Sequence, residues 1–387
     1  MGERLRHIPG AGATLTIDLG ALVGNFEFLR DKAGAAVCAG VVKANAYGLG
    51  VDKVAAALRN AGCGVFFVAT IDEGIELRQS LPAATIYVLN GLHPGSEQTF
   101  TEFDLIPVLN DPGQIEAWSF FARSHMKTSA AAIHFDTGMN RLGLSAKDAR
   151  ALIAAPDRVA FDIPLIMSHL VAADTPEAEI NRQQLESFTT LLGDFNRARP
   201  GKEAVPGSIA NSAGVLTGKD FHLDLVRPGL ALYGANPFAD RPNPMQPVIR
   251  LQGQILQLRE VAAGDSVGYN ATYRAPSARK IATVDVGYGD GYLRAFGNRG
   301  QAFIDGVQVP VVGRVSMDML AVDVTDVPPN ILVPGVGVDL LGGPVSLDGA
   351  VKASGLCAYE LLTLLGHRYK RRYVGLMEQV TEVTETR

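Results

Sequence analysis

Eight short apolar runs recur between residues 36 and 234, alternating with amphipathic or turn-rich stretches, and this alternation constrains the fold more than any other feature of the chain. The runs cover 36–43, 64–70, 85–90, 105–110, 131–136, 163–169, 207–212 and 226–234. Their unbroken apolar character suits strands buried on both faces, as parallel sheets require. Amphipathic stretches such as 51–60, 111–124, 146–154 and 179–197 lie between them, and the link 212–225 is the shortest and least helix-like. Eight such units suit a (β/α)8 barrel, which needs roughly 250 residues. A doubly wound open sheet is the competitor, but the count of eight favours closure.

At 387 residues the chain is too long for one ordinary core, so two domains are expected. The texture changes after Met245. Residues 248–260, 279–286, 301–315 and 320–324 alternate apolar with polar side chains, and Asp305-Gly306 between β-prone flanks signals a hairpin. One helical candidate stands at 359–365. The expected division is a barrel over 1–245 and a mainly β domain over 246–387, joined where Pro237, Pro242, Pro244 and Pro247 cluster. The early run 14–18 suits either domain.

A net charge of -5 argues against a polyanion partner, because nucleic-acid binders carry a basic stripe. The basic cluster at 367–373 reads as a solvated or site-bordering edge. Cys38, Cys63 and Cys357 lack metal-ligand spacing, and the first two read as small buried hydrophobes. No metal site is expected. Residues 1–12 lack the apolar core of a secretory signal, and no run approaches a membrane span. A cytoplasmic protein is expected.

Reactive side chains fall at the ends of the apolar runs. Lys43 ends the first, Asp136 the fifth, His169 the sixth and Ser212 the seventh, while Arg227 stands at the start of the last. In a (β/α)8 barrel those ends converge on one mouth, where active sites lie. Arg227 fits better if its strand is short, around 224–227, with 230–233 opening the next element. An amine at a strand tip can lose solvation, drop its pKa and attack an aldehyde. Together with Arg141, these groups make a pocket for something anionic and electrophilic. Singly each has a plain structural explanation: a solvated strand-end lysine, a satisfied core imidazole, a helix N-cap serine.

The chain resembles the alanine racemases through eight motifs in family order: VVKANAYGLG at Val41, DTGMNRLG at Asp136, SHL at Ser168, ANSAG at Ala210, VRPGLALYG at Val226, VGYNATYRA at Val267, VGYGDGY at Val286 and GRVSMD at Gly313. The resemblance implies a pyridoxal 5'-phosphate enzyme, built from a barrel and a β domain, that works as a homodimer with shared sites. Lys43 would bind the cofactor covalently and carry the proton on one face of the amino acid. Tyr269, from the partner subunit, would serve the opposite face. Arg141 and the backbone of Met317 would hold the substrate carboxylate, with Met317 again from the other chain. Arg227 would face the pyridine nitrogen, buttressed by His169. Tyr47, Ser212 and the amides of Gly229 and Leu230 would cradle the phosphate. Asp174, Tyr288, Arg294 and Arg314 match positions that narrow the entrance.

The match departs from the family in three places. His134 stands where many members have a lysine that becomes carbamylated and pins the arginine at 141. An imidazole cannot form that carbamate, so a chloride, a neighbouring acid or His134 itself would have to orient Arg141. Ser316 replaces a cysteine found in several members. A phosphate-side tyrosine common in the family falls at about His367, where the match is loose, and neither His367 nor Tyr369 is assigned a role. Alanine is the expected substrate, with a broad-specificity or serine racemase as the alternative. Basic amino-acid decarboxylases share the architecture but differ in their second-domain motifs. Cofactor carriers with a similar barrel lack a β domain and so lack residues such as Tyr269 and Met317. Sequence does not separate a role in cell-wall D-alanine supply from one in alanine breakdown.

Overall fold

The computed structural model describes residues 12–124 and 129–375. The segment 1–11, which bears most of the argument against a secretory signal, lies outside the described residues. The chain divides into two compact units. One comprises 25–246 with 347–366, and the other comprises 12–24, 247–346 and 367–375. The crossing at Gln246/Pro247 falls one residue from the boundary expected from composition. The remaining crossings return 347–366 to the first unit and give 12–24 to the second.

The first unit is a parallel barrel. Its strands are Val37–Cys38 with Gly40–Val41, Val65–Val68, Thr85–Val88, Ile106–Leu109, Ala132–His134, Ile166–Met167, Gly207–Ser208 and Leu225–Val226. Each pairs in parallel with the next from Gly40–Val41 round to Gly207–Ser208. The last joins Gly207–Ser208 through Asp224 N–H to Gly207 O (3.1 Å) and Arg227 N–H to Ala210 O (2.9 Å). It then pairs with Val37–Cys38, which closes the ring. Eight strands are therefore present, seven within the apolar runs and the eighth, Leu225–Val226, at the very start of the last run. Phe66, Phe67, Ile86, Val108, Ile133 and Ile166 are all buried, and since Phe66 and Phe67 must point to opposite faces, the strands are covered on both sides. The last strand is short, and Leu230–Tyr233 forms a 3-10 turn after it, as the placement of Arg227 requires.

The second unit is built on the 13-residue strand Ile249–Val261, whose first half alternates buried with half-buried residues. Register shifts at Leu251/Gln252 and Ile255/Gln257 let it pair with Gly337–Gly342 along its first half and with Arg279–Val284 along its second. Leu320–Asp323, Val307–Val312 and Gln301–Ile304 complete a closed, antiparallel ring of six. Asp305 and Gly306 both have positive φ (48° and 83°), the geometry of a tight type I′ hairpin. Thr14–Asp18 and Lys370–Val374 add two outer strands, the first antiparallel to Ile249–Val261 and the second parallel to Thr14–Asp18. The basic cluster thus sits largely on an edge strand, a common place for charged residues.

Candidate active site

The first unit holds a cavity of about 580 Å³ lined by Lys43, Tyr47, His134, Arg141, His169, Ser212, Arg227, Gly229 and Leu230. Eight of these nine are among the residues singled out above for catalysis or binding. His134 is the ninth.

Lys43 follows the strand Gly40–Val41 and opens an unusual turn. Ala44, Asn45, Ala46 and Tyr47 all have φ of 53–54°, a left-handed helical turn of four non-glycine residues. Such backbone costs roughly 1–2 kcal/mol per residue, so its surroundings must hold it. Ala46 N–H donates to Val42 O and Gly48 N–H to Ala44 O, each at 2.8 Å. Asn45 Oδ1 accepts the N–H of Val51 (2.7 Å), and Glu73 Oε1 accepts that of Ala44 (2.7 Å). The turn brings Lys43 and Tyr47 to one cavity wall. Burial lowers the pKa of Lys43, the nearby Arg141 lowers it further, and Glu73 opposes both. A partly desolvated amine of this kind is a better nucleophile at neutral pH.

Arg227 is buried and, among the described residues, forms no ion pair with an acid. Its Nη1 donates to Ser208 Oγ (2.5 Å) and its Nη2 to the carbonyl of Ser168 (2.6 Å), with His169 Nδ1 at 3.5 Å. Burial pushes the guanidinium down to about 9, which leaves it a cation at neutral pH. His169 is driven down to about 3 by burial and then by Arg227 and Arg141, so the imidazole is neutral. With Nδ1 turned to a donor, Nε2 carries the proton. Gln184 holds the backbone here: its Nε2 donates to His169 O (3.0 Å) and its Oε1 accepts Val171 N–H (2.8 Å).

Ser212 is the first residue of a short helix capped by Asn211, not the cap itself. Its hydroxyl instead accepts N–H groups from Gly229 (3.0 Å) and Ala231 (3.1 Å), which welds two loops of the cavity wall together. Gly229 is a close approach: a Cβ there would stand 3.1 Å from Tyr47 Cζ, closer still to its hydroxyl, and 3.3 Å from Val41 Cβ.

Arg141 sits on a loop wound about Asp136, whose carboxylate accepts the N–H groups of Gly138, Met139 and Asn140, each at 2.9 Å. Three donors on one side chain explain why an aspartate begins that motif. His134 meets Asn110 Oδ1 through Nδ1 (2.9 Å). Asn110 uses its amide N–H groups on Leu89 O and Val108 O, so its oxygen is the acceptor and His134 Nδ1 is the donor. Burial, then Arg227, lowers His134 to about 4, leaving Nε2 with a free lone pair.

Sequence reasoning missed Tyr359 and Asn211, which also line the cavity. Tyr359 lies on the helix Ala358–Thr363, its ring 5.9 Å from that of Tyr47. His367, near which the family's phosphate-side tyrosine loosely falls, is not on the cavity lining, whereas Tyr359, eight positions earlier in the helical stretch 359–365, lines the cavity together with Tyr47. Asp174 lies off the cavity lining but near enough to Tyr359 to raise its phenol, after burial and Cys357.

Tyr269, Tyr288, Arg294, Arg314 and Met317 belong to the second unit. There Tyr288 N–H donates to Ser316 O (2.9 Å) and Gly289 N–H to Met317 O (2.8 Å), while Val267 O packs on Gly313. The three motifs therefore form one loop cluster. Arg368 clamps it, binding both oxygens of Asp290 (2.6 and 2.8 Å) and one of Asp318 (2.6 Å). Tyr269 and Met317 are 68% and 55% exposed, so this chain's own packing leaves them in solvent. Among the described residues no cluster of His, Cys, Asp and Glu could hold a metal, no helix is long and apolar enough to cross a membrane, and Cys38, Cys63 and Cys357 are free thiols.

The cavity is cationic, carries one activated amine, and offers hydroxyl groups around a backbone close approach. That donor set fits a phosphorylated aldehyde. The comparisons agree. Residues 17–237 match the model for the alanine racemase N-terminal domain and 248–373 that for the C-terminal domain. An alanine racemase of Rhodospirillum rubrum is 47% identical over 375 residues, covering 96% of this chain and 98% of its own. A catabolic alanine racemase of Mesorhizobium japonicum is 45% identical over 369 residues, with 94% of each covered. The crystal structure of the Bartonella henselae alanine racemase, with covalently bound pyridoxal phosphate, superposes with a TM-score of 0.88 at 38% identity, covering 94% of this chain and all of that one. Fold, motif order and cavity chemistry converge, and the chain belongs to the alanine racemase family.

Proposed function

We propose that this chain interconverts L- and D-alanine with pyridoxal phosphate as cofactor. The observation that carries the reading is that an activated Lys43 lines the same cavity as a buried Arg227 with no ion-pair partner among the described residues, in a chain of this family. Pyridoxal phosphate supplies an electron sink for the pair left behind when an amino acid loses its α-proton. Everything else falls to the protein's own residues.

Lys43 would hold the aldehyde carbon covalently and, once displaced by the substrate amine, move the proton at Cα on one face. Tyr47, the Ser212 hydroxyl and the Leu230 amide would hold the phosphate, with Tyr359 beside them; the Gly229 N–H, expected to join them, is given to Ser212 Oγ, so Gly229 serves by its close approach. Arg227 is a cation at neutral pH with no lone pair to accept a proton, so it cannot take one from a ring nitrogen. Ser168, Ser208 and neutral His169 fix its position. Arg141 would orient the substrate carboxylate. Racemisation needs a second acid–base group on the opposite face, and Tyr269 from a second copy of the chain would supply it, with the Met317 backbone helping to bind the carboxylate. The exposure of Tyr269 and Met317 on a braced loop cluster supports this homodimer, since large apolar side chains left in solvent mark contact surfaces. Asp174, Tyr288, Arg294 and Arg314 would narrow the entrance. A cytoplasmic location accords with this role.

The test is circular dichroism of L-alanine incubated with the protein and pyridoxal phosphate. The signal decays to zero if the proposal is right and stays constant if it is wrong.

A further inference from the structure

We infer that Glu73 is a positioning residue for Lys43: its carboxylate holds the first peptide of the left-handed turn and so fixes where Lys43 and Tyr47 stand in the cavity. The inference rests on the function proposed above and adds a residue to it.

The strands Gly40–Val41 and Val65–Val68 pair side by side, and their ladder continues to Val42 N–H on Phe67 O at 3.0 Å. Beyond that point the first chain turns left-handed and the ladder can go no further. Glu73 spans the gap. One oxygen accepts the N–H of Ala44 (2.7 Å), and the other accepts those of Ala69 (2.7 Å) and Thr70 (3.3 Å). A single carboxylate thus ties the residue after Lys43 to the tip of the adjacent strand, where Ala69 lines the same cavity.

The tie matters because the local sequence opposes the turn. Ala44, Asn45 and Ala46 are not glycines, and alanine favours the right-handed helix. The far end is held by Asn45 on Val51 N–H, and Gly48 there leaves no room for a Cβ, which would meet Leu362 O at 2.7 Å. Glu73 secures the near end, the end covalently joined to Lys43. It also belongs to a capping box with Thr70, whose hydroxyl accepts Glu73 N–H (3.3 Å). That gives an internal control, because the cap can be weakened without touching the tie.

The experiment compares Glu73→Ala, Glu73→Gln and Thr70→Ala in the full-length holoenzyme. The readouts are the dissociation constant for pyridoxal phosphate, the fraction of Lys43 labelled after borohydride reduction, kcat and KM for L-alanine, and Tm. Glu73→Ala should bind the cofactor about tenfold more weakly and lose about tenfold or more in kcat, as displaced reacting groups do. Its KM should stay within about twofold, because Arg141 is held separately by Asp136. Glu73→Gln, with one acceptor oxygen left, should fall between it and the parent. Thr70→Ala should lower Tm while keeping kcat and cofactor affinity within about twofold of the parent. Parent-like affinity and kcat in Glu73→Ala would overturn the inference, as would Thr70→Ala matching the losses of Glu73→Ala. If Glu73→Ala does not fold, parent-like values in Glu73→Gln overturn it. A parent enzyme that never loads Lys43 refutes the proposed function instead, so the two failures are distinguishable.

Discussion

Gly229→Ala offers a sharp test of the cavity's packing. The added methyl would stand 3.1 Å from Tyr47 Cζ and 3.3 Å from Val41 Cβ, and inside hydrogen-bonding distance of the Tyr47 hydroxyl. Comfortable contacts between such atoms lie near roughly 3.5 Å, so the phenol must retreat by about 1 Å. It has little room, for Tyr47 is buried and its ring lies 4.6 Å from that of Tyr233. Tyr233 is in turn anchored by its hydroxyl on Val41 O at 2.9 Å. Overpacking of this sort costs about 1–3 kcal/mol, and at about 2–4 °C per kcal/mol the Tm of the cofactor-free protein should fall by about 2–12 °C. Because the hydroxyl is the closest obstacle, Tyr47→Phe should rescue the variant. A double-mutant cycle by denaturant unfolding should give a coupling of about 1–2 kcal/mol. Losses that add to within about 0.5 kcal/mol would refute the claim that these two residues compete for one space.

Three further outcomes are expected. His134 and His169 sit near 4 and 3 when folded, below the ordinary ~6.5. Their contribution to stability is therefore complete above about pH 6.5 and is lost as pH falls through the folded values. Calorimetry should show unfolding free energy declining from about pH 6.5 downward, and His134→Asn should make that slope shallower by about 1.4 kcal/mol per pH unit near pH 5. Asp136→Ala removes the acceptor for three loop N–H groups, so Arg141 should lose its set position and KM for alanine should rise about tenfold or more; unchanged steady-state kinetics would deny Asp136 that role. Tyr269→Phe should slow racemisation by about 10²–10⁴-fold while solvent exchange of the α-hydrogen survives for one enantiomer only, as read by NMR in deuterium oxide. Equal losses of α-hydrogen exchange for both enantiomers would contradict a two-base scheme.

The barrel was legible because its strands are buried on both faces, which writes each one as an apolar run. The runs overstate the paired length. The run 163–169 yields the strand Ile166–Met167, and 207–212 yields Gly207–Ser208. The surplus residues that follow these strands include His169 and Ser212, which line the cavity. Long-range pairing was less legible: Thr14–Asp18 joins the β unit through a ladder with residues more than 200 positions away, and nothing local announces it. The left-handed turn after Lys43 was invisible for a different reason. Its residues favour the opposite hand, and part of what holds it, Glu73, lies on another element. Tyr359 escaped because its helix reads as ordinary amphipathic sequence, and only its placement beside Tyr47 reveals it.

The amine at position 43 is the group on which the proposed chemistry most directly depends. Incubation with pyridoxal phosphate, reduction with borohydride and mass spectrometry of the digested protein should place the cofactor's mass on the peptide containing Lys43, and Lys43→Ala should abolish that label. A label on another lysine, or none on a protein that still racemises alanine, would contradict the account.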